Sequence, residues 1–203
     1  MSNSLNTQGS NIDSSDALVS EALDHITAYW RPQLINTASE LKIYDFLSKE
    51  PMSTDELAKA TGTHSETLFR FMRALANIDV FKLDHNQKWT TTPLATIIFT
   101  QLKNYASLWL DSYSLLTTLT DVVKTGRNHF EEHYGLPFYE WCKSKPTEFE
   151  KFNIAMAEFG NFLDSKVTEI YDFSQFKCIV DVGGGRGVFM SEMLKSAPNV
   201  TGI

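Results

Sequence analysis

The residues with the clearest chemical potential lie in one short segment, 181–187. Asp181 is followed by four glycines that share one turn: Gly183, Gly184, Gly185 and Gly187. Glycines leave no Cβ between a ligand and the backbone, and they permit positive φ angles in a tight turn. The apolar run 176–182 predicts a strand buried on both faces, and residues 188–196 predict a helix. Because a helix N-terminus offers free N–H donors and positive potential, the segment predicts a site for a small molecule with a carboxylate or phosphate.

Spacing separates three kinds of glycine-rich loop. A P-loop requires Gly-Lys-Ser/Thr after its glycines, which Arg186-Gly187-Val188 does not provide. The dinucleotide fingerprint G-x-G-x-x-G fits Gly183 and Gly185, but Val188 occupies the third glycine position, so NAD is the second choice. An acidic residue followed by G-x-G-x-G resembles the S-adenosylmethionine loop of class I methyltransferases. An ordinary strand-to-helix turn is the alternative that the remaining residues must exclude.

Composition limits the class of protein. The chain has 203 residues, 42% of them hydrophobic, which is enough for one domain and part of a second. A net charge of −7 disfavours nucleic acids and anionic membranes as partners. No apolar stretch reaches 18 residues, and no signal peptide is recognisable, so a cytoplasmic location is predicted. Cys142 and Cys178 are predicted to be reduced, buried thiols.

The first half of the chain predicts a small helical module with a hairpin. Apolar spacing indicates helices over 17–29 and 34–47. Ser53-x-x-Glu56 and Thr63-x-x-Glu66 are two capping boxes, which predict a short helix followed by a longer one. Two runs within 80–91 can pair as a hairpin, and together these elements predict a winged helix.

A winged helix raises the possibility of DNA binding. The exposed basic residues of its second helix are Arg70 and Arg73, and Glu66 and Asp79 offset them, so phosphate neutralisation is disfavoured. Packing or dimerisation fits better. Residues 93–125 carry more apolar side chains than a small module buries, Trp109 and Tyr113 among them, which predicts an intertwined dimer.

The middle of the chain contains two further candidates for chemistry. His129 and His133 have a spacing that could chelate a metal on a helix, but neighbouring glycines favour a surface loop or a single turn, and no metal site is predicted. An aromatic group could line a pocket or belong to the core: Phe138, Tyr139 and Trp141. A second group shares one helical stripe, for which core packing is again the simpler interpretation: Phe152, Met156 and Phe159.

The order of these features resembles the small-molecule O-methyltransferases of plant secondary metabolism and bacterial antibiotic tailoring, a family that includes acetylserotonin methyltransferases. The resemblance covers almost everything after residue 20 and rests, besides the glycine segment, on these motifs: Ala38-x-x-Leu41-x-Ile43-x-Asp45-x-Leu47, Glu56-Leu57-Ala58, Leu68-x-Arg70-x-x-Arg73-Ala74-Leu75, Thr91-x-x-x-Ala95, Phe152-x-x-Ala155-Met156 and Tyr171-Asp172-Phe173-Ser174.

The resemblance implies a mainly α winged-helix dimerisation domain over 17–100 and substrate-lining helices over 101–170. From 171 to 203 it implies the first β-α-β portion of an α/β Rossmann-like class I methyltransferase domain. Residues 1–16 are predicted to form a disordered tail. The chain is expected to be an N-terminal part of such an enzyme, acting as a homodimer on a small aromatic molecule that bears a hydroxyl group.

The resemblance also assigns site residues. Those expected to bind S-adenosylmethionine are Asp181, Gly183, Gly184, Gly185 and Gly187, and those expected to line the acceptor site are Trp141, Phe152, Met156 and Phe159. The chain departs from the family at Lys42, where glycine is common, at Phe159, where plant members often carry histidine, and at Arg186, where a small residue is commoner.

No residue of the chain matches the catalytic base of the family, because none of the histidines has its place in the motif order: His25, His64, His85, His129 and His133. The 203-residue chain alone is therefore expected to be inactive. Two other hypotheses stay open: a catalytically inactive dimerisation partner that binds no cofactor, and a winged-helix DNA-binding regulator.

Overall fold

The computed structural model describes the backbone of residues 14–111 and 113–203, and the side chains of 15–108 and 113–203. The predicted tail, 1–16, therefore lies outside the described residues except for its last three positions, which begin the first helix. The side chain of Trp109 also lies outside them. In the described part of the chain, no helix is long and apolar enough to cross a membrane.

The N-terminal half is helical with one antiparallel hairpin. Its elements in chain order are α1 (Ser14–Thr27), α2 (Trp30–Glu40), α3 (Ile43–Leu47), α4 (Thr54–Thr61), α5 (Ser65–Ala76), β1 (Phe81–Leu83), β2 (Trp89–Thr91) and α6 (Pro93–Thr96), which a π-helical turn (Ile97–Gln101) follows. The predicted hairpin is present, with Phe81 opposite Thr91 and Leu83 opposite Trp89. The order of α4, α5 and the hairpin agrees with a winged helix, which nevertheless stays a prediction.

One hydrophobic core holds this half together, formed by α2 to α6 and the hairpin. Its largest fully buried side chains are Trp89, Phe81, Ile43, Leu57, Met72 and Leu75. The indole N–H of Trp89 donates to Thr54 Oγ1 at 2.9 Å, so its one polar atom keeps a partner inside the core.

The two predicted capping boxes have different outcomes. Ser53 caps α4, and its backbone N–H bonds the Glu56 carboxylate at 2.7 Å, so the first box is confirmed. The second box is wrong, since the N-cap of α5 is His64, whose Nδ1 accepts from the Thr67 N–H. The Thr63 hydroxyl instead pairs with Thr61 Oγ1 at 2.9 Å, at the end of α4.

The helical run predicted over 34–47 is broken in the structure. The backbone of Lys42 has φ 54°, in the left-handed region, and this residue separates α2 from α3. A left-handed residue after a helix lets its own N–H donate back to the last turn, as the Lys42 N–H does to Ser39 O at 3.0 Å. The side chains of α3 then turn inward, which buries Ile43 and Leu47.

The C-terminal half is built around one long helix. Its elements are α7 (Lys103–Asp111), α8 (Tyr113–Leu116), α9 (Leu119–Thr125), α10 (Phe130–Tyr134), α11 (Phe138–Ser144), α12 (Pro146–Ile170), a 3₁₀ turn (Phe173–Gln175), β3 (Cys178–Ile179), α13 (Val188–Ser196) and β4 (Thr201–Gly202). Helix α12 packs against α7 on one side and α13 on the other. The carboxylate of Glu158 in α12 accepts from the backbone N–H groups of Asn104 and Tyr105 at 2.9 Å, and so caps the start of α7.

The unit β3-α13-β4 is a parallel β-α-β arrangement, with Cys178 opposite Thr201. The predicted helix over 188–196 is confirmed. The predicted buried strand over 176–182 is wrong in length and burial, because only Cys178–Ile179 forms a strand and Val180 is 59% exposed. Cys178 is likewise exposed, whereas Cys142 is buried as predicted. After Ile179 the chain turns toward the glycines, and β4 is the strand that pairs with β3 among the described residues.

Candidate functional site

The glycine segment and helix α12 face each other across a cavity of about 500 Å³. Two sets of side chains share it, apolar and aromatic groups from α11 to α13 on one side and the polar turn on the other. The lining residues are Tyr139, Phe149, Phe152, Asn153, Met156, Ala157, Phe159, Gly160, Asp164, Asp181, Gly183, Gly184, Gly185, Arg186, Val188 and Phe189. A cavity of this size and mixed lining is typical of a small-molecule site.

The backbone of the turn requires its glycines. Gly183, Gly185 and Gly187 have φ angles of 81°, 58° and 71°, a region that side chains disfavour. Above these three glycines the space is open, which leaves the backbone accessible to a ligand. Gly184 differs, because its φ is not positive; a Cβ at this position would overlap the carboxylate of Asp181 and would force that side chain to move.

Gly187 has a different place from the other glycines of the turn. It is the N-cap of α13, and its N–H donates to Gly184 O at 2.8 Å. It does not belong to the cavity lining, whereas Gly183, Gly184 and Gly185 do. The structure therefore gives Gly187 the geometry of a residue that shapes the turn.

The charges around the cavity are unevenly distributed. Asp181 Oδ2 is buried and has no hydrogen-bond partner. Burial raises the pKa of Asp164, and the nearby carboxylates of Glu192 and Asp181 raise it further. Arg186 forms an ion pair with Glu150 of α12, which ties the glycine turn to the helix. Because both members of that pair are about half exposed, it adds little to stability.

The predicted lining residues of α12 lie together in the cavity: Phe152, Met156 and Phe159. Phe159 stacks on Tyr105 of α7, with ring centroids 4.9 Å apart and planes at 6°, which fixes this wall. Trp141 is not part of the wall. It lines a smaller cavity of about 70 Å³, where its ring packs near Phe130 and Tyr134. Phe152 lies between the two cavities and lines both.

Sequence reasoning missed several residues of the cavity, of which Asp164 is the most informative. The positions 152, 156, 160 and 164 follow one another at intervals of four, so they share a face of α12. Extending the apolar stripe of Phe152 and Met156 by two turns would have found Gly160 and Asp164. Phe149 precedes Phe152 by three residues and extends the same stripe backwards, whereas Phe189 lies on another helix and carries no comparable signal.

The histidine pair at 129 and 133 does not form a metal site. His129 is the N-cap position of α10, and its Nδ1 lies 2.7 Å from the Glu132 carboxylate. His133 Nε2 instead bonds Ser114 Oγ at 3.2 Å. Among the residues that the structure describes, no group of three His, Cys, Asp or Glu side chains is arranged to hold a metal ion.

Two family models match the chain. Residues 23–101 match an O-methyltransferase dimerisation domain, and residues 116–203 match an O-methyltransferase domain. The chain belongs to the O-methyltransferase family. Its fold is that of the N-terminal part of these enzymes, mainly helical, with the dimerisation domain and part of the methyltransferase domain. The family uses S-adenosylmethionine as its cofactor.

Two curated relatives of the chain are O-methyltransferases by name. The chain is 31% identical over 191 residues to phenazine O-methyltransferase PhzM of Lysobacter antibioticus, covering 92% of this chain and 56% of the relative. It is 31% identical over 188 residues to mitomycin biosynthesis 6-O-methyltransferase of Streptomyces lavendulae, covering 88% and 53%. The chain thus spans about half the length of the curated relatives it matches.

Solved structures share the fold. The crystal structure of LaPhzM superposes with a TM-score of 0.77 at 31% identity, covering 91% of this chain and 57% of that one. Human N-acetylserotonin methyltransferase, solved in complex with S-adenosylmethionine, has a TM-score of 0.76 at 21% identity, covering 96% and 59%. At that identity the human enzyme supports the fold alone.

Proposed function

We propose that the protein is an S-adenosylmethionine-dependent O-methyltransferase that acts on a small aromatic molecule with a hydroxyl group. The observation that carries the proposal is the cavity between the glycine turn and α12, since it combines open backbone with a flat, apolar wall. The names of the relatives agree with it, because they include O-methyltransferases of phenazine and mitomycin biosynthesis. A cytoplasmic location and a homodimer built through the dimerisation domain complete the proposal.

The residues of the turn fit the cofactor. The open space above Gly183 and Gly185 leaves room for the cofactor beside the backbone, and the carboxylate of Asp181, which lines the cavity, offers negative charge to an ammonium group. When bound, S-adenosylmethionine supplies a methyl group on a positively charged sulfur. Gly184 keeps the turn compact enough for the Asp181 carboxylate to lie beneath it.

The residues of α12 would position the acceptor. Phe152, Met156 and Phe159 form an apolar wall against which an aromatic ring can stack. Holding the acceptor oxygen near the methyl group makes the transfer effectively unimolecular. Such proximity and orientation account for a large part of the rate in two-substrate reactions.

The group that removes the hydroxyl proton is proposed to come from outside the described residues. No histidine lines the cavity in the part of the chain that the structure describes. His129 and His133 have the local partners described above, and His64 caps α5. We therefore expect the 203-residue chain alone to be practically inactive, since the loss of general-base help lowers the rate by about 10²–10⁴-fold.

Calorimetry on the complete protein tests the proposal, with S-adenosylmethionine as the titrant and mass-spectrometric detection of methylated phenols afterwards. We expect saturable binding and transfer to aromatic hydroxyls in preference to aliphatic alcohols. Gly184→Ala should weaken binding, because its Cβ would push the Asp181 carboxylate out of its place. Gly126→Ala, in the C-cap of α9 and outside the cavity lining, is the control: it strains a left-handed glycine with φ 68° and should leave binding unchanged as long as the protein folds. A folded dimer that binds no S-adenosylmethionine would instead support the non-catalytic partner.

A further inference from the structure

Two carboxylates line the cavity without a cation to balance them. Asp181 follows β3, and Asp164 reaches the same cavity from the C-terminal half of α12. Among the described residues, neither carboxylate has a Lys, Arg or His within ion-pair distance. Arg186, the cation of the cavity lining, is held by Glu150. The cavity therefore carries an excess of negative charge.

The local structure keeps Asp164 beside the turn. A Cβ added at Gly160, one turn earlier on the same face of α12, would lie 2.8 Å from Asp164 Oδ2, so glycine gives this carboxylate its space. Glu192 of α13 is the third acid nearby, but it pairs with Lys195 and does not line the cavity. Asp164 and Asp181 are thus the two acids that a ligand in the cavity would meet.

We propose that Asp164 is a specificity-determining residue that makes the site prefer the cationic methyl donor over its neutral product. This inference rests on the proposed function. S-adenosylmethionine carries an ammonium, a carboxylate and a sulfonium, so its net charge is positive. S-adenosylhomocysteine lacks the sulfonium charge and is neutral overall. A second carboxylate in a partly desolvated cavity stabilises the donor more than the product, because Coulomb energies grow as the effective dielectric constant falls.

The consequence for the enzyme is easier release of product. Donor and product present the same ammonium and carboxylate and differ by the charge on sulfur. The carboxylate of Asp164 adds negative charge to the cavity lining and therefore favours the ligand with the higher net charge. A site discriminates between two ligands only if it interacts more favourably with one of them. The charge of Asp164 supplies such a difference between donor and product.

Calorimetry on the complete protein tests the inference with three ligands: S-adenosylmethionine, S-adenosylhomocysteine and sinefungin, which carries an amine in place of the sulfonium. In Asp164→Asn we expect the affinity ratio of donor to product to fall about tenfold, the size of one charge interaction in such a site. Sinefungin should follow the donor. Asp164→Glu keeps the charge and should keep most of the ratio.

Glu169→Gln is the matched control, because Glu169 lies on the same helix, pairs with Lys166 at 3.0 Å and loses the same charge. Its ratio should equal that of the unmodified protein, and circular dichroism should show that all variants are folded. An unchanged ratio in Asp164→Asn, or an equal fall in Glu169→Gln, overturns the inference and leaves the proposed function standing. If the unmodified protein binds neither donor nor product, the proposed function is overturned and this inference with it.

Discussion

Asp164 combines two properties of a ligand-binding residue: it lines the cavity, and its environment disfavours its charge. Burial first, and then Glu192 and Asp181, raise the pKa of its carboxyl above the ordinary value. Because the folded protein then holds the proton more tightly than the unfolded chain does, ionisation destabilises the fold as the pH rises through the folded-state pKa. Below the unfolded-state pKa, both states are protonated and the penalty disappears.

We therefore expect Asp164→Asn to raise the melting temperature of the ligand-free protein at pH 7, because the variant removes an unfavourable charge. The gain should shrink as the pH falls through the raised pKa of Asp164, and it should vanish once aspartate is protonated in both states. Thermal denaturation across pH measures it. Glu169→Gln, whose charge has a lysine partner, should show no such pH-dependent gain. A lower melting temperature for Asp164→Asn at pH 7 would contradict this account.

The residue scale also shows what the sequence could predict about the site. The turn 181–187 was predictable because glycine leaves few alternatives to a bent, accessible backbone, and the cavity lies where the turn does. The sequence could not predict that Trp141 lines the smaller cavity, because an aromatic side chain packs equally well in a core or in a pocket. Spacing along α12 is enough to place Asp164 on the face of Phe152 and Met156, but it does not determine that this face meets the glycine turn.

At the scale of elements, predictions succeeded where local interactions dominate. The bounds of α13 follow from a glycine at its N-cap and an apolar stripe, and the box at Ser53 closes by hydrogen bonds three residues apart. The capping box predicted at Thr63 does not form, because the Thr63 hydroxyl bonds Thr61 Oγ1 at the end of α4. The prediction of a buried strand before the glycines was wrong, because the burial of Val180 depends on elements distant in the sequence.

The break between α2 and α3 gives a prediction of its own. Lys42 is exposed and has φ 54°, a region that costs a residue with a Cβ about 1 kcal/mol. We expect Lys42→Gly to stabilise the protein by about 0.5–1 kcal/mol, measured as the free energy of unfolding in urea. Lys59→Gly, at an exposed position inside α4, is the contrasting control and should destabilise by about 1 kcal/mol. Equal destabilisation by both substitutions would show that the left-handed backbone of Lys42 carries no cost.

At the scale of the whole molecule, the N-terminal half of the chain leaves an apolar surface uncovered. Helix α1 exposes large side chains along one face, at intervals of four and three residues, with Val19 at 56%, Leu23 at 56% and Ile26 at 70%. Trp30, at the start of α2, continues this surface and is 56% exposed. A monomer rarely leaves so many neighbouring apolar side chains in water, and a second copy of the chain would cover them. The sequence predicted a dimer from 93–125, whereas the structure adds α1 as a candidate contact.

We expect the complete protein to be a dimer that Ile26→Glu dissociates, because the substitution would place an unpaired carboxylate within a buried apolar contact. Sedimentation equilibrium measures the effect as a rise of at least tenfold in the dimer dissociation constant, since burial of an unpaired charge costs several kcal/mol. Ser20→Glu changes an exposed polar position of the same helix and should leave the dimer intact. If both variants remain dimeric, the second copy is held by other parts of the dimerisation domain, and the apolar face of α1 must be covered in another way.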